Sequence, residues 1–254
     1  MIAAGIMRAM DAEVRVFQDA DALAEAAART IGDVARGAVE ERGRFMIALA
    51  GGATPRLTYT RLAQPPWIDT LPWDRTWVFF GDERGVPPDQ PDSNDRMAEE
   101  TLLGKVPVPP GQILRMAGER ADLDEAAAEY ARTLAAVFGT RRGELPRFDL
   151  ILLGMGVDGH TASLFPGSPA LKEVFRPVVA VHAAAAAIPR RLTLTYPVLN
   201  HAAHVVFLVA GAEKARAVKA VLRDGAHLPA GLVRPTDGRL IWMLDRPAAA
   251  LLGG

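Results

Sequence analysis

Residues 148–169 read FDLILLGMGVDGHTASLFPGSP, and the two halves of this stretch differ in character. The first six residues are nearly all apolar, as in a strand that is buried on both faces of a sheet. The remainder holds four glycines, two prolines, one aspartate and one histidine, a composition typical of a loop. The stretch therefore predicts a buried strand that ends in a glycine-rich loop with polar side chains.

Other runs of strand length share the apolar or β-branched character of this strand, which predicts further strands covered on both faces. They begin at Phe45 (FMIALA), Thr76 (TWVFF), Arg191 (RLTLTY), His204 (HVVFLVAG) and Arg239 (RLIWMLD). Amphipathic helical patterns, with apolar residues three and four positions apart, fill residues 21–42, 122–139 and 212–225. Because strands and helices alternate, we predict an α/β fold with a mostly parallel sheet and helices on both faces.

The chain is predicted to form one domain over residues 1–254, since no linker rich in glycine, serine or proline divides it. Residues 1–10 are interpreted as a disordered segment or as an extension from a mis-assigned start, because Met7 and Met10 are alternative starts.

Composition narrows the possible chemistry and partners. The 29 Lys and Arg residues against 30 Asp and Glu residues give a net charge of −1, which provides no basic surface for nucleic acid. The absence of cysteine excludes disulfides, thiolate nucleophiles and Cys-ligated zinc. No run approaches the roughly 20 apolar residues of a membrane span. We expect a cytoplasmic monomer or weak homo-oligomer with no nucleic-acid or membrane partner.

The strand that begins at Phe45 is followed by GGATP, a sequence suited to binding an anion. Gly51 and Gly52 allow the backbone to approach a ligand closely, Thr54 is a suitable N-cap, and Pro55 suits the first helical position. A helix N-terminus built in this way predicts a phosphate site. The alternative is an ordinary turn between a strand and a helix.

Two further strand ends carry groups for acid–base chemistry. Asp82, Glu83 and Arg84 follow TWVFF and could supply an acid, a base and a fixed cation. In the opening loop, His160 is a candidate general base and Asp158 a carboxylate that orients it. The alternatives are a solvated charged turn and a surface turn with an incidental histidine.

Several remaining basic and imidazole side chains have weaker patterns. Arg191 and Lys214 could neutralise a phosphate, although most such side chains only contribute to solubility. His201 and His204 are three residues apart, but no H-E-x-x-H motif accompanies them, so we interpret them as structural and expect no metal site.

Taken together, the motifs resemble the 6-phosphogluconolactonases of the glucosamine-6-phosphate isomerase/6-phosphogluconolactonase family. The matching motifs are GDER at 81–84, the stretch 148–169, RLTLT at 191–195, VAGAEKA at 209–215, LPAGLVRP at 228–235 and WMLD at 242–245. The resemblance implies a Rossmann-like fold similar to glucosamine-6-phosphate deaminase, with no metal or organic cofactor. It also implies hydrolysis of 6-phospho-D-glucono-1,5-lactone, a phosphosugar lactone, to 6-phosphogluconate in the oxidative pentose phosphate pathway.

Carried over by position, the resemblance implies a role for each candidate residue. His160 would activate water, Asp158 would orient His160, and Arg84 would stabilise charge at the reacting end, which Asp82 would shape. The substrate-binding residues implied are Gly51, Gly52, Ala53, Thr54, Arg191 and Lys214 for the phosphate, and Gly156 among the glycine-loop amides for the oxyanion.

The chain departs from the family pattern at three places, which leads us to expect redistributed phosphate contacts. Ala50, Ala53 and Gly231 stand where the family usually has serine. Two other functions remain open. A glucosamine-6-phosphate deaminase/isomerase would have a carboxylate five residues after the histidine, where this chain has Phe165. The other alternative is a sugar-phosphate-binding protein without catalysis.

Overall fold

The computed structural model describes residues 6–9, 12–184 and 186–253. Its strands are β1 (Ile6–Ala9), β2 (Ala12–Phe17), β3 (Phe45–Leu49), β4 (Thr76–Phe80), β5 (Asp82–Arg84), β6 (Leu150–Leu153), β7 (Val178–His182), β8 (Arg190–Leu194), β9 (His204–Val209) and β10 (Arg239–Asp245). The α-helices are α1 (Ala20–Arg42), α2 (Ala53–Leu62), α3 (Trp67–Thr70), α4 (Asn94–Ala98), α5 (Leu123–Phe138), α6 (Tyr196–Leu199), α7 (Ala215–Leu222) and α8 (Arg246–Ala249).

A seven-stranded sheet in the order β1-β2-β10-β9-β6-β3-β4 forms the centre of the molecule. Strand β1 is antiparallel to β2, and the other pairs in this sheet are parallel. Strands β3 and β6 are buried at every position, so both faces of the sheet are covered. This confirms the predicted α/β fold with a mostly parallel sheet.

Helix boundaries follow the capping signals in the sequence. Helix α1 begins after Asp19, whose carboxylate accepts a hydrogen bond from the Ala22 amide at 2.8 Å. It ends at Gly43, which adopts the left-handed conformation with φ 72°. Helix α5 ends in the same way at Gly139, φ 69°. None of the described helices is long and apolar enough to cross a membrane.

The run RLTLTY does not belong to the parallel sheet. It forms β8, the middle strand of a separate three-stranded antiparallel sheet in the order β5-β8-β7. The apolar pattern could not make this distinction, because a covered antiparallel strand and a parallel strand have similar compositions.

The N-terminal residues also differ from the sequence interpretation. Ile6–Ala9 form the edge strand β1, paired with β2 through Ile6 opposite Arg15 and Ala9 opposite Ala12. The interpretation of residues 1–10 as disordered is therefore wrong for Ile6–Ala9. Residues 1–5 and 10–11 lie outside the described residues.

Strand order determines where a ligand can bind. From β3 the chain goes to β4 on one side, whereas β6 pairs with β3 on the other. The loops after β3 and β6 therefore lie side by side at the carboxyl edge, and a crevice opens at such a switch point. A methyl group on Gly154 would lie 3.8 Å from the carbonyl oxygen of Gly51, which confirms that the two loops are adjacent.

Candidate functional site

A cavity of about 280 Å³ opens at the carboxyl edge of β3 and β6. This volume is near the lower end of ordinary small-molecule sites, about 300–1,000 Å³. Its lining includes nearly all the predicted site residues: Gly51, Gly52, Ala53, Thr54, Asp82, Arg84, Gly156, His160, Arg191 and Lys214. The exception is Asp158, which does not line the cavity but contacts His160 directly.

His160 is held by Asp158 on one edge of its ring. The Nδ1 atom lies 2.6 Å from the Asp158 carboxylate, which also accepts a hydrogen bond from the His160 amide at 3.1 Å. Burial raises the pKa of Asp158, but these hydrogen bonds outweigh it and hold the pKa below its ordinary value. Because an ionised carboxylate only accepts, Nδ1 carries the proton, and Nε2 is left as the basic nitrogen.

Gly156 is required by the position of the imidazole. A Cβ atom on Gly156 would lie 2.2 Å from the ring of His160 and 2.6 Å from the carboxylate of Asp158. The Gly156 amide donates to the carbonyl of His160 at 2.9 Å, which closes the loop on itself. Only glycine allows the loop backbone to lie against the His160–Asp158 pair.

The anion site predicted at GGATP is the N-terminus of α2, with one correction. Thr54 is not the N-cap: Gly52 is, with φ 106°, and Ala53 and Thr54 belong to the first turn. No side chain caps this helix end, and Ala53 and Thr54 of its first turn line the cavity. A helix N-terminus of this kind attracts anions.

The backbone of Ala50, directly before Gly51 and Gly52, is held by two hydrogen bonds with Tyr59. The buried hydroxyl of Tyr59 donates to the Ala50 carbonyl at 2.8 Å and accepts from the Ala50 amide at 2.9 Å. The loop that leads into α2 is therefore held at the end of β3, despite the alanine at this position.

Arg84 and Arg191 lie directly opposite each other in the β5–β8 pair. Among the described residues neither forms an ion pair, since Arg84 donates to the Asp92 carbonyl and Arg191 donates to the Ile188 carbonyl at 2.9 Å. Burial lowers the pKa of Arg191, and the charge of Arg84 acts in the same direction. Like charges opposite each other on neighbouring strands repel, so a bound anion would stabilise this pair.

Asp82 is 6 % exposed and is held by two side chains that were not among the predicted site residues. The Ser163 hydroxyl donates to its carboxylate at 2.7 Å. The side-chain amide of Asn94 donates through Nδ2 to the Asp82 carboxylate at 3.1 Å and to the Asp82 backbone carbonyl at 2.9 Å. A Cβ atom on Gly51 would lie 2.0 Å from Oδ1 of Asn94, so Asn94 connects Asp82 to the loop before α2.

Glu83 does not line the cavity but organises the segment that leads to α4. Its buried carboxylate accepts from the amides of Arg84 (2.8 Å), Asn94 (2.7 Å) and Asp95 (2.8 Å), and from the Ser93 hydroxyl (3.0 Å). Burial raises its pKa, although these donors oppose that effect. Ser93 is the N-cap of α4, and its hydroxyl accepts a hydrogen bond from the Arg96 amide at 3.2 Å.

The far side of the cavity is formed by the segment before α7. Lys214 ends the short 3₁₀ turn Ala212–Lys214 and lines the cavity together with Glu213. Gly211 begins this turn with φ 106°, and its amide donates to the Asp245 carboxylate at 3.1 Å.

His201 and His204 do not line the cavity, and each ring faces a backbone carbonyl. Nδ1 of His201 faces the Pro146 carbonyl at 3.3 Å, and Nδ1 of His204 faces the Asp149 carbonyl at 3.0 Å. In the described ranges, no group of three or more His, Asp or Glu side chains is arranged to hold a metal ion.

Comparisons with known proteins agree on one family. The family described as glucosamine-6-phosphate isomerases/6-phosphogluconolactonase matches residues 18–242. A Synechocystis protein named 6-phosphogluconolactonase is 44 % identical over 214 residues, which cover 83 % of this chain and 86 % of the relative. A rice protein named probable 6-phosphogluconolactonase 2 is 35 % identical over 254 residues, covering 94 % and 90 % of the two chains.

Solved structures show the same architecture. The 6-phosphogluconolactonase of Trypanosoma brucei aligns with a TM-score of 0.85 at 30 % identity, covering 98 % of this chain and 100 % of that one. A monomeric glucosamine-6-phosphate deaminase aligns with a TM-score of 0.76 at 23 % identity, covering 94 % and 99 %. The second likeness extends to the fold only.

Proposed function

The chain belongs to the glucosamine-6-phosphate isomerase/6-phosphogluconolactonase family, and from that premise we propose that it is a 6-phosphogluconolactonase. It would hydrolyse 6-phospho-D-glucono-1,5-lactone to 6-phospho-D-gluconate in the oxidative pentose phosphate pathway. The observation that carries the proposal is the His160–Asp158 pair, which leaves Nε2 as a base on the wall of a cavity rich in anion-binding groups.

Each step of the reaction has a residue suited to it. Nε2 of His160 removes a proton from water, and the water oxygen bonds to C1 of the lactone. The resulting oxyanion is stabilised by the guanidinium of Arg84. The Gly156 amide, expected from the sequence to contribute, is engaged by the His160 carbonyl at 2.9 Å. When the bond between C1 and the ring oxygen breaks, the imidazolium returns its proton to that oxygen. Such general base catalysis contributes about 10²–10⁴-fold.

The negatively charged 6-phosphate would bind to the amides and the positively charged side chains of the cavity. The free amides of the α2 N-terminus, the guanidinium of Arg191 and the ammonium of Lys214 line the same space. Backbone amides compensate for the serines that Ala50 and Ala53 replace, since a helix N-terminus binds phosphate without side-chain hydroxyls.

Two alternatives are less well supported. The deaminase/isomerase reaction needs a carboxylate that carries a further proton, five residues after the histidine. That position holds Phe165 here, and the centroid of its ring lies 4.4 Å from that of the His160 imidazole. A binding protein without catalysis would not need a histidine whose tautomer is fixed by a carboxylate.

Acid release from freshly prepared 6-phosphogluconolactone tests the proposal directly. We expect a rate well above spontaneous hydrolysis and no ammonia from glucosamine 6-phosphate. Acid release at the spontaneous rate would contradict the lactonase assignment, and ammonia release would identify the deaminase instead.

The setting of this activity is part of the same proposal. We place the protein in the cytoplasm, as a monomer or weak homo-oligomer without nucleic-acid partners, although a relative from Arabidopsis thaliana is named as chloroplastic. Cell fractionation and light scattering of the purified protein check these two points.

A further inference from the structure

The side chain of Phe165 contacts two of the predicted site residues that line the cavity. Its ring packs against the imidazole of His160 with centroids 4.4 Å apart and planes inclined by 31°. The guanidinium carbon of Arg191 lies over the same ring, 5.4 Å from its centroid. Phe165 is therefore the direct link between the candidate base and one of the candidate phosphate-binding cations.

The turn before Phe165, residues 161–164, is anchored by side-chain hydrogen bonds to two strand ends. The Thr161 hydroxyl donates to the Gly154 carbonyl at 2.8 Å, which anchors the turn to the end of β6. The Ser163 hydroxyl donates to Asp82 at 2.7 Å, which anchors it to β5. Between them Ala162 has φ 47°, a left-handed conformation that non-glycine residues adopt at some cost. Such a constrained turn leaves Phe165 little freedom of position.

Each of the two side chains that Phe165 contacts makes one other hydrogen bond among the described residues: His160 to Asp158, and Arg191 to the Ile188 carbonyl at 2.9 Å. Asp158 holds His160 by one edge, and a hydrogen bond at one edge leaves the ring free to tilt about it. Arg191 is repelled by Arg84, its cross-strand neighbour. An aromatic face attracts a guanidinium and packs against an imidazole, so one ring restrains both.

We propose that Phe165 is a positioning residue that sets the spacing between His160 and Arg191, and so matches the site to the span from the lactone carbonyl to the 6-phosphate. The inference rests on the proposed function for its substrate. Its geometric part, that the ring of Phe165 restrains the imidazole, does not depend on that substrate.

Three variants test this role. Phe165→Leu keeps an apolar side chain without an aromatic face, Phe165→Tyr keeps the ring, and Phe175→Leu makes the same change at a phenylalanine that is 86 % exposed. We expect Phe165→Leu to lower kcat by a factor on the order of 10–100, as for other small misplacements of reacting groups, and to raise KM. Phe165→Tyr and Phe175→Leu should keep wild-type kcat and KM.

A combination with Arg191→Ala separates positioning from general packing. If Phe165 acts on KM through Arg191, the double variant has no higher KM than Arg191→Ala alone. Melting temperatures of all variants show whether stability changed. The proposal would be overturned if Phe165→Tyr lost as much activity as Phe165→Leu. It would also be overturned if the KM of the double variant rose by the product of the two single-variant increases.

A measurement without substrate tests the geometric part separately. We expect ¹³C relaxation at Cε1 of His160 to report a rigid ring in wild type and Phe165→Tyr, and a mobile one in Phe165→Leu. Unchanged mobility in Phe165→Leu would overturn the inference even if the lactone is hydrolysed. A wild-type protein that fails to hydrolyse the lactone would contradict the proposed function, and the relaxation result would still decide the role of Phe165.

Discussion

The hydrogen bond from His160 to Asp158 selects the tautomer on which the proposed chemistry depends. An ionised carboxylate accepts the proton of Nδ1 and leaves Nε2 unprotonated. An amide in place of that carboxylate can donate to Nδ1, which would put the proton on Nε2 and remove the base.

Asp158→Asn is therefore expected to reduce kcat by about 10²-fold or more, as an orienting carboxylate does in other histidine-dependent hydrolases. Steady-state kinetics with fresh lactone measures this, and Asp237→Asn, at a side chain 91 % exposed, is the matched control. Since the pKa of Asp158 is lowered, its protonation should reduce activity only below its ordinary value of 3.8. Wild-type activity in Asp158→Asn would contradict the orienting role.

Gly156 allows a test by steric exclusion. Gly156→Ala places a methyl group within 2.2 Å of the imidazole, so we expect the ring to be displaced and activity to fall by about tenfold or more. Gly37→Ala, on the exposed face of α1 where nothing lies within 4 Å, should keep full activity and gain about 0.5–1 kcal/mol of stability. Kinetics and urea unfolding of both variants check the contrast.

At this scale the sequence predicts which residues carry the chemistry but not how they are held. His160 and Asp158 are two residues apart, so their hydrogen bond forms within one loop and can be predicted from the local sequence. Ser163 and Asp82 are separated by 81 positions, and their hydrogen bond exists only once β5, β6 and β8 have assembled. No periodicity or motif in one sequence contains that contact.

Among the structural elements, the segment between β5 and α4 depends most on a single side chain. Glu83 satisfies four donors from residues 84 and 93–95, and thereby places Asn94 against Asp82 and Gly51. Removing the carboxylate leaves these donors buried without an acceptor, and each such group costs about 1–3 kcal/mol.

Glu83→Ala is expected to lower the free energy of unfolding by about 3 kcal/mol and to reduce activity through the displaced Arg84. Glu40→Ala, at an exposed position of α1, should change stability by less than about 0.5 kcal/mol. Urea unfolding measures both variants. Equal stability of the two would show that the four hydrogen bonds at Glu83 contribute nothing net.

The sequence predicts elements well where their pattern is long. The bounds of β4 and β10 coincide with the apolar runs TWVFF and RLIWMLD. Strand β5 has three residues, all charged, so it gives no strand pattern, although its pairing with β8 brings Arg84 opposite Arg191. The common use of hydroxyl side chains as caps predicts Thr54 as the N-cap of α2, whereas the N-cap is Gly52, whose φ of 106° favours glycine.

For the molecule as a whole, the site exists because strand order brings separate loops to one edge. The segments after β3, β6 and β9 are far apart in the chain and line one cavity. The general rule for doubly wound sheets, that ligands bind outside the carboxyl ends of the strands, accounts for this convergence. The sequence did not predict the antiparallel sheet of β5, β7 and β8, because pairing between distant short strands depends on assembly of the whole fold.

A ligand that binds only the folded protein should stabilise the whole molecule. At 100 times its Kd, 6-phosphogluconate is expected to add about 2.7 kcal/mol, which corresponds to a rise in Tm of about 5–10 °C. Lys214→Ala should reduce this rise, whereas Lys105→Ala, at an exposed position, should not. Differential scanning calorimetry with and without the product measures it, and an unchanged Tm in the wild type would contradict binding at this cavity.

The central claim is that His160 activates water against the lactone. Its most direct test is acid release from freshly prepared 6-phosphogluconolactone by wild type, His160→Ala and His182→Ala, the last an exposed histidine of β7. We predict that His160→Ala loses about 10²–10⁴-fold in kcat while His182→Ala equals wild type, with all three folded by circular dichroism. A His160→Ala protein that hydrolyses the lactone as fast as wild type would contradict the account.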